Sequence, residues 1–532
     1  MADAGRRRFR AHPDTIPGLA LAAAATAGED PAIDDGPRQV TFGELLDSVW
    51  RVAGAFCELV GPAERIAIWA PNSIDWATAA LGAAFAGATV VPVNTRYTTC
   101  EMADIVDRSG CRLVVAEHEF LGRSLAREAL AGGDRRAVIG LGPGSEPGTV
   151  PLSSLLSADG GGAAVERRLG RLGPDSISHI QYTSGTTGRP KGAMLRHSSM
   201  VTTTREWARI VGLRSGDRYP VIAPFAHIGG HKTGLLACLA SGATALPFAT
   251  LDVERLAALI GAGGVSVLQG PPTMYQALIA RWRDAEPAEA APRVAVTGGA
   301  TVAPALVREI VSVLGVRHVF TAYGLTETTG VCTMTGPADD VDTVAETSGR
   351  AIPGVEVLVV DQAGEVLPPG RTGQVVVGGD GVMAGYLDDP AATAEAVTAG
   401  RIRTGDIGWV GEDGCLRIVD RLKDLVIVGG LNAYPAEIER VLLECPGVDQ
   451  AAVVGAPDDR LGEVPVAFVV LRTGLEPSIA DLEAHCRSRL ADFKRPRRFV
   501  VVDGLPVNSS GKVVKVDLRR HVAGWPPPHR AD

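Results

Sequence analysis

Tyr182-Thr183-Ser184-Gly185-Thr186-Thr187-Gly188-Arg189-Pro190-Lys191-Gly192 is the stretch whose reading decides the fold. It carries four Ser/Thr hydroxyls, three glycines, an arginine and a lysine, and it narrows to a proline-stiffened turn. Glycine lets the backbone approach a ligand closely, and successive N–H groups with hydroxyls make an anion cradle. The two cations complement a polyphosphate. The common phosphate-loop pattern does not fit. Anchored on Gly185 it needs Gly at 190 and Ser or Thr at 192, where the chain has Pro190 and Gly192. A different nucleotide-phosphate loop is indicated, with a bare surface turn as the plain alternative.

Upstream, Ser176–Tyr182 reads as the strand that delivers the loop. Downstream the beat is regular. Strands at Tyr219–Ala223, Ala243–Pro247, Val265–Leu268, Arg293–Thr297 and Arg317–Thr321 alternate with helices at 231–241, 253–262, 272–281 and 303–314. Such alternation predicts a doubly wound, mostly parallel sheet, with ligands beyond the strand C-termini. One rim then carries 183–192, 224–231, 298–301 and 322–327.

Before the loop, Thr41-Phe42-Gly43-Glu44 has capping-box spacing and opens a helix to about Glu58. Arg65–Trp69, Thr89–Val93 and Arg112–Ala116 are strands; Asn72 or Ser73 and Met102–Ser109 supply helices. Residues 141–175 read as a loose linker, and 1–15 as a frayed basic tail. After Val355 the strands Val355–Asp361, Gly373–Val377, Gly405–Val410 and Cys415–Val419, parted by turn signals, predict a small antiparallel barrel or sheet. From about 435, helix, strand, strand, helix and strand make a small α+β unit. The expected division is 1–420 and 421–532.

Composition narrows the function. The 532 residues are 46% hydrophobic and 21% charged, which is globular. Net charge is 52 − 61 = −9, which argues against a general nucleic-acid binder. Eight scattered cysteines without a C-x-x-C pair predict reduced thiols in a cytoplasmic protein. His227 and His231 have i, i+4 spacing. They lack the glutamate of a zinc helix, and Gly229 and Gly230 between them oppose a helix. Arg6-Arg7-Arg8-Phe9 before Leu19–Ala27 is too short an apolar run for an export signal. The uncharged run 76–93 is Ala- and Gly-rich, and reads as a buried helix and strand rather than a membrane span.

Further stations follow in order. They are Tyr323-Gly324-Leu325-Thr326-Glu327, Thr404-Gly405-Asp406, Asp420-Arg421-Leu422-Lys423-Asp424, Gly429-Gly430-Leu431-Asn432, and Asn508-Ser509-Ser510-Gly511-Lys512. Together with the loop this set resembles the adenylate-forming superfamily, in its acyl- and aryl-CoA synthetase branch, from about 15 to 520. The resemblance implies a large N-terminal adenylation domain, a small mobile C-terminal lid, and the cofactors ATP, Mg²⁺ and CoA. By the same resemblance Thr183, Ser184, Gly185, Thr186, Thr187, Gly188 and Lys191 wrap the β- and γ-phosphates. Thr326 meets the α-phosphate, and Glu327 with Thr186 holds Mg²⁺. Tyr323 and Gly324 border the adenine; Gly298, Gly299 and Ala300 edge adenine and acyl pocket. Asp406 takes the ribose hydroxyls, supported by Arg421. Lys423, Gly429 and Gly430 belong to the CoA stage, with Gly429 and Gly430 leaving room for pantetheine. Lys512 carries adenylation from the lid, which swings about Asp420. His227 gates the acyl pocket, unless it is simply a packed histidine.

Within the branch, Ile68-Trp69-Ala70-Pro71-Asn72, Asn94-Thr95-Arg96-Tyr97-Thr98 and Gly270-Pro271-Pro272-Thr273 resemble actinobacterial acid–CoA ligases, nearest in wording to those for the bicyclic propanoate of steroid ring degradation. Two features depart from the branch: Ala226 removes bulk in Pro224-Phe225-Ala226-His227, and Leu431 precedes Asn432. The implied partners are a bulky or medium-chain carboxylic acid and CoA. A carrier protein as acceptor, a homodimer, and an ATP- and nitrite-dependent diazotisation of an aromatic amine all stay open.

Overall fold

The computed structural model describes residues 11–131, 136–144, 146–157, 161–183, 189–282, 291–298, 302–472, 474–507 and 513–523. Of the candidate residues, Ser184, Gly185, Thr186, Thr187, Gly188, Gly299, Ala300 and Lys512 lie outside these ranges.

Two large sheets form the N-terminal part. In the first, nine strands run in the order Arg350–Ala351, Thr333–Met334, His318–Tyr323, Val294–Gly298, Val267–Gly270, Arg218–Val221, Thr244–Pro247, Pro31–Asp34, Gln39–Thr41. Its centre is parallel, and its edges are antiparallel. The second sheet has eight strands, ordered Gly385–Tyr386, Lys191–Arg196, Ile177–Thr183, Thr89–Pro92, Arg65–Trp69, Cys111–Glu117, Ala137–Leu141, Val150–Pro151. It is parallel except at the first two pairings. This is the mostly parallel architecture expected, with helices closing the sheet faces.

The helix Phe42–Leu59 starts with the anticipated capping box, both halves formed by Thr41 and Glu44. It packs on Ile74–Phe85, capped by Ser73, in which every residue but Asp75 is buried. Small residues make that approach close: a Cβ on Gly82 would lie 2.8 Å from Val52 Cγ1. The run 76–93 is thus an interior helix and strand. No helix among the described residues is long and apolar enough to cross a membrane.

Three expectations need correction. Residues 141–175 are not a loose linker. They contain the helices Leu152–Leu156 and Gly162–Leu169, and Val165 and Leu169 enter the main core. Gly161 starts the second helix at φ +82°, where a Cβ would lie 2.4 Å from Gly54 Cα. The backbone contact, which only glycine permits, hid the helix behind glycines. Residues 11–15 are not frayed: Thr15 is fully buried and caps the helix Ile16–Ala27, whose first N–H meets His197 Nδ1 at 3.2 Å. Gly229 and Gly230 do not prevent a helix. Ile228–Gly230 is helical and runs into a π-helix, His231–Leu236, then Ala237–Ser241.

The antiparallel expectation for 355–419 holds as a five-stranded sheet, Val355–Val360, Gly373–Gly379, Arg401–Val410 and Val397–Thr398, with Leu416–Arg421 also paired to Arg401–Val410. Beyond it, Val426–Val428, Leu431–Ala433, Val448–Asp458, Gly462–Leu471 and Arg498–Val501 form a separate sheet. Its two apolar clusters, drawn from residues 426–522, are distinct from those of the N-terminal part.

Candidate active site

The glycine-rich loop joins two antiparallel strands, Ile177–Thr183 and Lys191–Arg196, with Thr183 opposite Lys191 in register. Among the described residues, the segment after the loop, Lys191–Arg196, is a strand and not the helix that follows the common phosphate loop, in keeping with the divergent sequence. Thr183 Oγ1 donates to Glu327 Oε1 at 3.2 Å. Glu327 sits in the short 3₁₀ turn Thr326–Thr328, just past the C-terminal end of His318–Tyr323. Tyr386 donates its hydroxyl to the same oxygen at 3.0 Å, and Lys191 Nζ lies 5.2 Å from the centre of the Tyr386 ring. Burial, and then the Glu327 charge, push the Tyr386 phenol up, so it stays a donor. The structure therefore brings Thr183, Lys191 and Glu327 together. A carboxylate beside a threonine hydroxyl is a hard oxygen donor set, which fits Mg²⁺.

Asp406, in the strand Arg401–Val410, is 2% exposed. Its Oδ2 accepts the Tyr323 hydroxyl at 2.5 Å, and Oδ1 meets Arg421 Nε at 3.0 Å. Burial first, and Asp406 next, hold the Tyr323 phenol well above its ordinary value. Gly405 takes φ +73°, and its carbonyl accepts Leu422 N–H at 2.8 Å. Gly324 lets the chain double back: a Cβ there would lie 2.5 Å from Gly330 O. Tyr323, Gly324, Asp406 and Arg421 thus form one cluster, a carboxylate held by two donors and still carrying spare lone pairs.

The acyl-side candidates lie beyond Arg218–Val221. His227 is half-buried and caps Ile228–Gly230, its Nδ1 accepting Gly229 N–H at 3.1 Å. Gln181 from the loop-bearing strand donates to Ala226 O at 2.8 Å, tying this segment to the hairpin. Gly230 is needed for packing: a Cβ would lie 2.2 Å from the carbonyl oxygens of Ala223 and Pro224. His231 points away from the site, edge-on to His179 (4.5 Å) and Trp76 (5.1 Å), and burial pushes it down to about 3. It is a neutral packed ring. Gly298 ends its strand so close to Ala322 O that a Cβ would sit 2.5 Å away.

Lys423 is exposed, and its carbonyl is within 3.4 Å of Arg519 Nη2. Gly429 and Gly430, φ +56° and +83°, form the two-residue turn between Val426–Val428 and Leu431–Ala433. Successive positive φ values are what a type I′ hairpin requires, which accounts for the Gly-Gly pair before any role in CoA binding is invoked. Asp420 is buried where the two parts meet: Oδ2 accepts Ala436 N–H at 2.8 Å and Oδ1 accepts Arg421 N–H at 2.7 Å. Burial lifts its carboxyl to about 6 against the opposing pull of Lys515.

Sequence reasoning missed Tyr386, an isolated aromatic in Gly385-Tyr386-Leu387 with no local signal. It also missed Lys232, for which a signal existed, since a lone lysine interrupts the apolar run 228–240. Lys232 is fully buried, and its Nζ donates to Thr329 O at 3.0 Å.

Comparisons with known proteins find relatives over most of the chain. The family model for AMP-binding enzymes matches residues 20–387, and that for the AMP-binding enzyme C-terminal domain matches 437–512. The chain is 44% identical over 492 residues to the 3-[(3aS,4S,7aS)-7a-methyl-1,5-dioxo-octahydro-1H-inden-4-yl]propanoyl:CoA ligase of Mycobacterium tuberculosis, covering 91% of this chain and 94% of that one. It is 40% identical over 518 residues to the ligase of the same name from Rhodococcus jostii, covering 95% and 98%. Among solved structures, the o-succinylbenzoate CoA synthetase of Bacillus subtilis in complex with its acyl-adenylate intermediate superposes with TM-score 0.81 at 26% identity, over 96% of this chain and 99% of that one.

Proposed function

Because the chain belongs to the AMP-binding enzyme family and is an ATP-dependent, AMP-forming acid–CoA ligase, we propose that its acid is a bulky, ring-bearing propanoate and that the clustered residues divide the two half-reactions between them. The observation that carries the reading is the convergence of Thr183, Lys191 and Glu327 at one end of a rim whose other end holds Tyr323 and Asp406.

A carboxylate is a poor acylating agent until its oxygen is given a leaving group. Attack on the α-phosphate of ATP forms the acyl–phosphate bond and releases pyrophosphate; CoA then displaces AMP. Thr183 and Lys191, with 184–188, hold the β- and γ-phosphates as the departing group. Thr326 donates to the α-phosphate. Glu327 and Thr186 would hold Mg²⁺, which supplies charge neutralisation at phosphoryl oxygen. Asp406 accepts from the ribose hydroxyls, and the Tyr323 ring lies against adenine. Lys512 brings the carboxylate and phosphate together by neutralising their repulsion. Residues 421–532 act as the lid, turning at Asp420 to expose the Gly429–Gly430 turn to CoA in the second step. Ala226 and Gly229, small residues on either side of His227-Ile228, leave width for a fused ring system. The cytoplasm is the proposed compartment.

A panel of acids tests this, read as AMP release with and without CoA. The bicyclic indene-propanoate should support AMP release and CoA-dependent thioester formation at rates above straight-chain acids. A preference for linear acids overturns the substrate reading. Acyl transfer to a carrier protein in place of CoA overturns the acceptor. Release of AMP with nitrite and an arylamine, without CoA, overturns the reaction itself.

A further inference from the structure

Lys232 occupies an environment that penalises it. It is 0% exposed, at the start of the π-helix His231–Leu236, where the titratable group that acts on it is the Cys332 thiol, itself pushed up by burial. Desolvation pushes its ammonium down to about 7. A buried charge without a carboxylate partner costs stability, and an apolar side chain of the same length would remove that cost. What the lysine gains, among the described residues, is one hydrogen bond, Nζ to Thr329 O at 3.0 Å.

That carbonyl ends the turn carrying Thr326 and Glu327. Thr329 sits at φ +55°, a left-handed conformation that a β-branched residue adopts only under constraint. Its hydroxyl donates to Gly381 O at 2.7 Å, and Gly330 N–H closes back on Leu325 O at 2.7 Å. Met383 N–H holds Glu327 O at 2.9 Å. Ile228, from the helix that begins at His227, presses on Gly330, where an added Cβ would lie 3.0 Å from Ile228 Cγ1. The strained turn is therefore pinned from two sides, and the pin from the acyl-side helix is Lys232. The π-helix is itself a departure from the ordinary ladder, of a kind that recurs at functional sites. The same segment places Thr233, whose Oγ1 lies 3.0 Å from Gln269 Oε1.

We propose that Lys232 is a positioning residue for adenylation: it fixes the Thr326–Thr329 turn through the Thr329 carbonyl, and so makes the geometry at the α-phosphate depend on the segment that walls the acyl pocket. This rests on the role given above to Thr326 and Glu327. The lysine touches no substrate and acts through the turn. Misplacing a reacting group by about 1 Å is enough to cost about two orders of magnitude in rate.

Three variants of the full chain test it: Lys232→Met, Lys232→Gln, which retains an N–H donor without charge, and Glu327→Gln. Lys232→Met should lower kcat of acid-dependent ATP–pyrophosphate exchange about tenfold or more, with KM for ATP within about twofold. CoA transfer from supplied acyl-AMP should stay within about twofold, and Tm should hold or rise, because a buried charge has gone. Lys232→Gln should recover part of the lost exchange. Exchange within about twofold of the parent in Lys232→Met overturns the proposal, as does an equal loss in both half-reactions with a lowered Tm, which marks a merely structural lysine. If Lys232→Met does not fold, Lys232→Gln is read alone, between the parent and the about tenfold loss, by the same criteria. Glu327→Gln separates the premises. If it leaves exchange intact, the reading of the turn itself fails; if it abolishes exchange while Lys232→Met does not, only the positioning role fails.

Discussion

Asp406 shows how one side chain can serve the fold before any ligand arrives. Its two oxygens are taken by the Tyr323 hydroxyl and the Arg421 guanidinium, so the polar atoms of a nearly inaccessible carboxyl group are satisfied. Ribose hydroxyls would add to lone pairs already aimed by those donors. Asp406→Ala should raise KM for ATP at least about tenfold, the equivalent of one charge-assisted hydrogen bond, and should also lower Tm, because the buried Tyr323 hydroxyl loses its acceptor; a steady-state ATP titration and a thermal melt measure the two effects. Glu117 is the contrasting case. It is buried at the end of Cys111–Glu117, accepts His118 N–H at 3.1 Å, and desolvation lifts its carboxyl to about 7 from 4.5. A raised carboxylate binds more protons folded than unfolded, so its contribution to stability is intact below about 4.5 and is lost as pH rises to about 7. Glu117→Gln should therefore be more stable than the parent at pH 8, by on the order of 2 kcal/mol, with the difference vanishing near pH 4.5. Urea unfolding across that range measures it. At this scale, what could be read from sequence were residues whose neighbours in the chain reveal them. Glu327 and Asp406 stand in glycine- and threonine-rich turns, whereas Tyr386 reaches Glu327 from 59 positions away with nothing beside it to mark it.

Among the elements, those with their own punctuation were legible. Thr41 and Glu44 announced a helix, and the apolar strand at Arg65–Trp69 announced itself. Elements whose glycines serve packing were not. Gly161 looks like the middle of a linker because its neighbours are Gly160 and Gly162, yet its missing side chain is what lets one helix touch the backbone of another. Gly161→Ala should cost about 1–3 kcal/mol, from a positive φ and an overpacked contact together, without altering half-reaction kinetics of the folded enzyme; chemical denaturation measures the loss. Gly230 misled in the same way, as a helix breaker by propensity that is required in a helix by contact. The antiparallel pairing of Ile177–Thr183 with Lys191–Arg196 was also hidden, since strand direction depends on partners far along the chain.

Over the whole molecule, the change of rhythm after residue 420 was visible in sequence, and the separate apolar clusters drawn from 426–522 give it a physical basis. The contacts named where the two parts meet are polar. Asp420 holds the Ala436 N–H, Arg421 holds Asp406, and Leu422 N–H holds Gly405 O. Within 421–532 itself, Arg519 on the last described helix pairs with Asp424, at 2.5 Å. The guanidinium of the Arg421–Asp406 pair is exposed and so is open to partial screening by salt, and proteolysis within 421–434 should accelerate as salt rises from about 0.1 to about 1 M. Digestion that ignores salt would mean an apolar seam holds the parts instead. A junction of this composition also has a thermal signature. Parting apolar surfaces raises heat capacity, and parting polar ones lowers it slightly. The balance between joined and parted states should then drift little between cold and warm conditions, while global unfolding, which opens the apolar clusters, keeps its usual steep dependence on temperature.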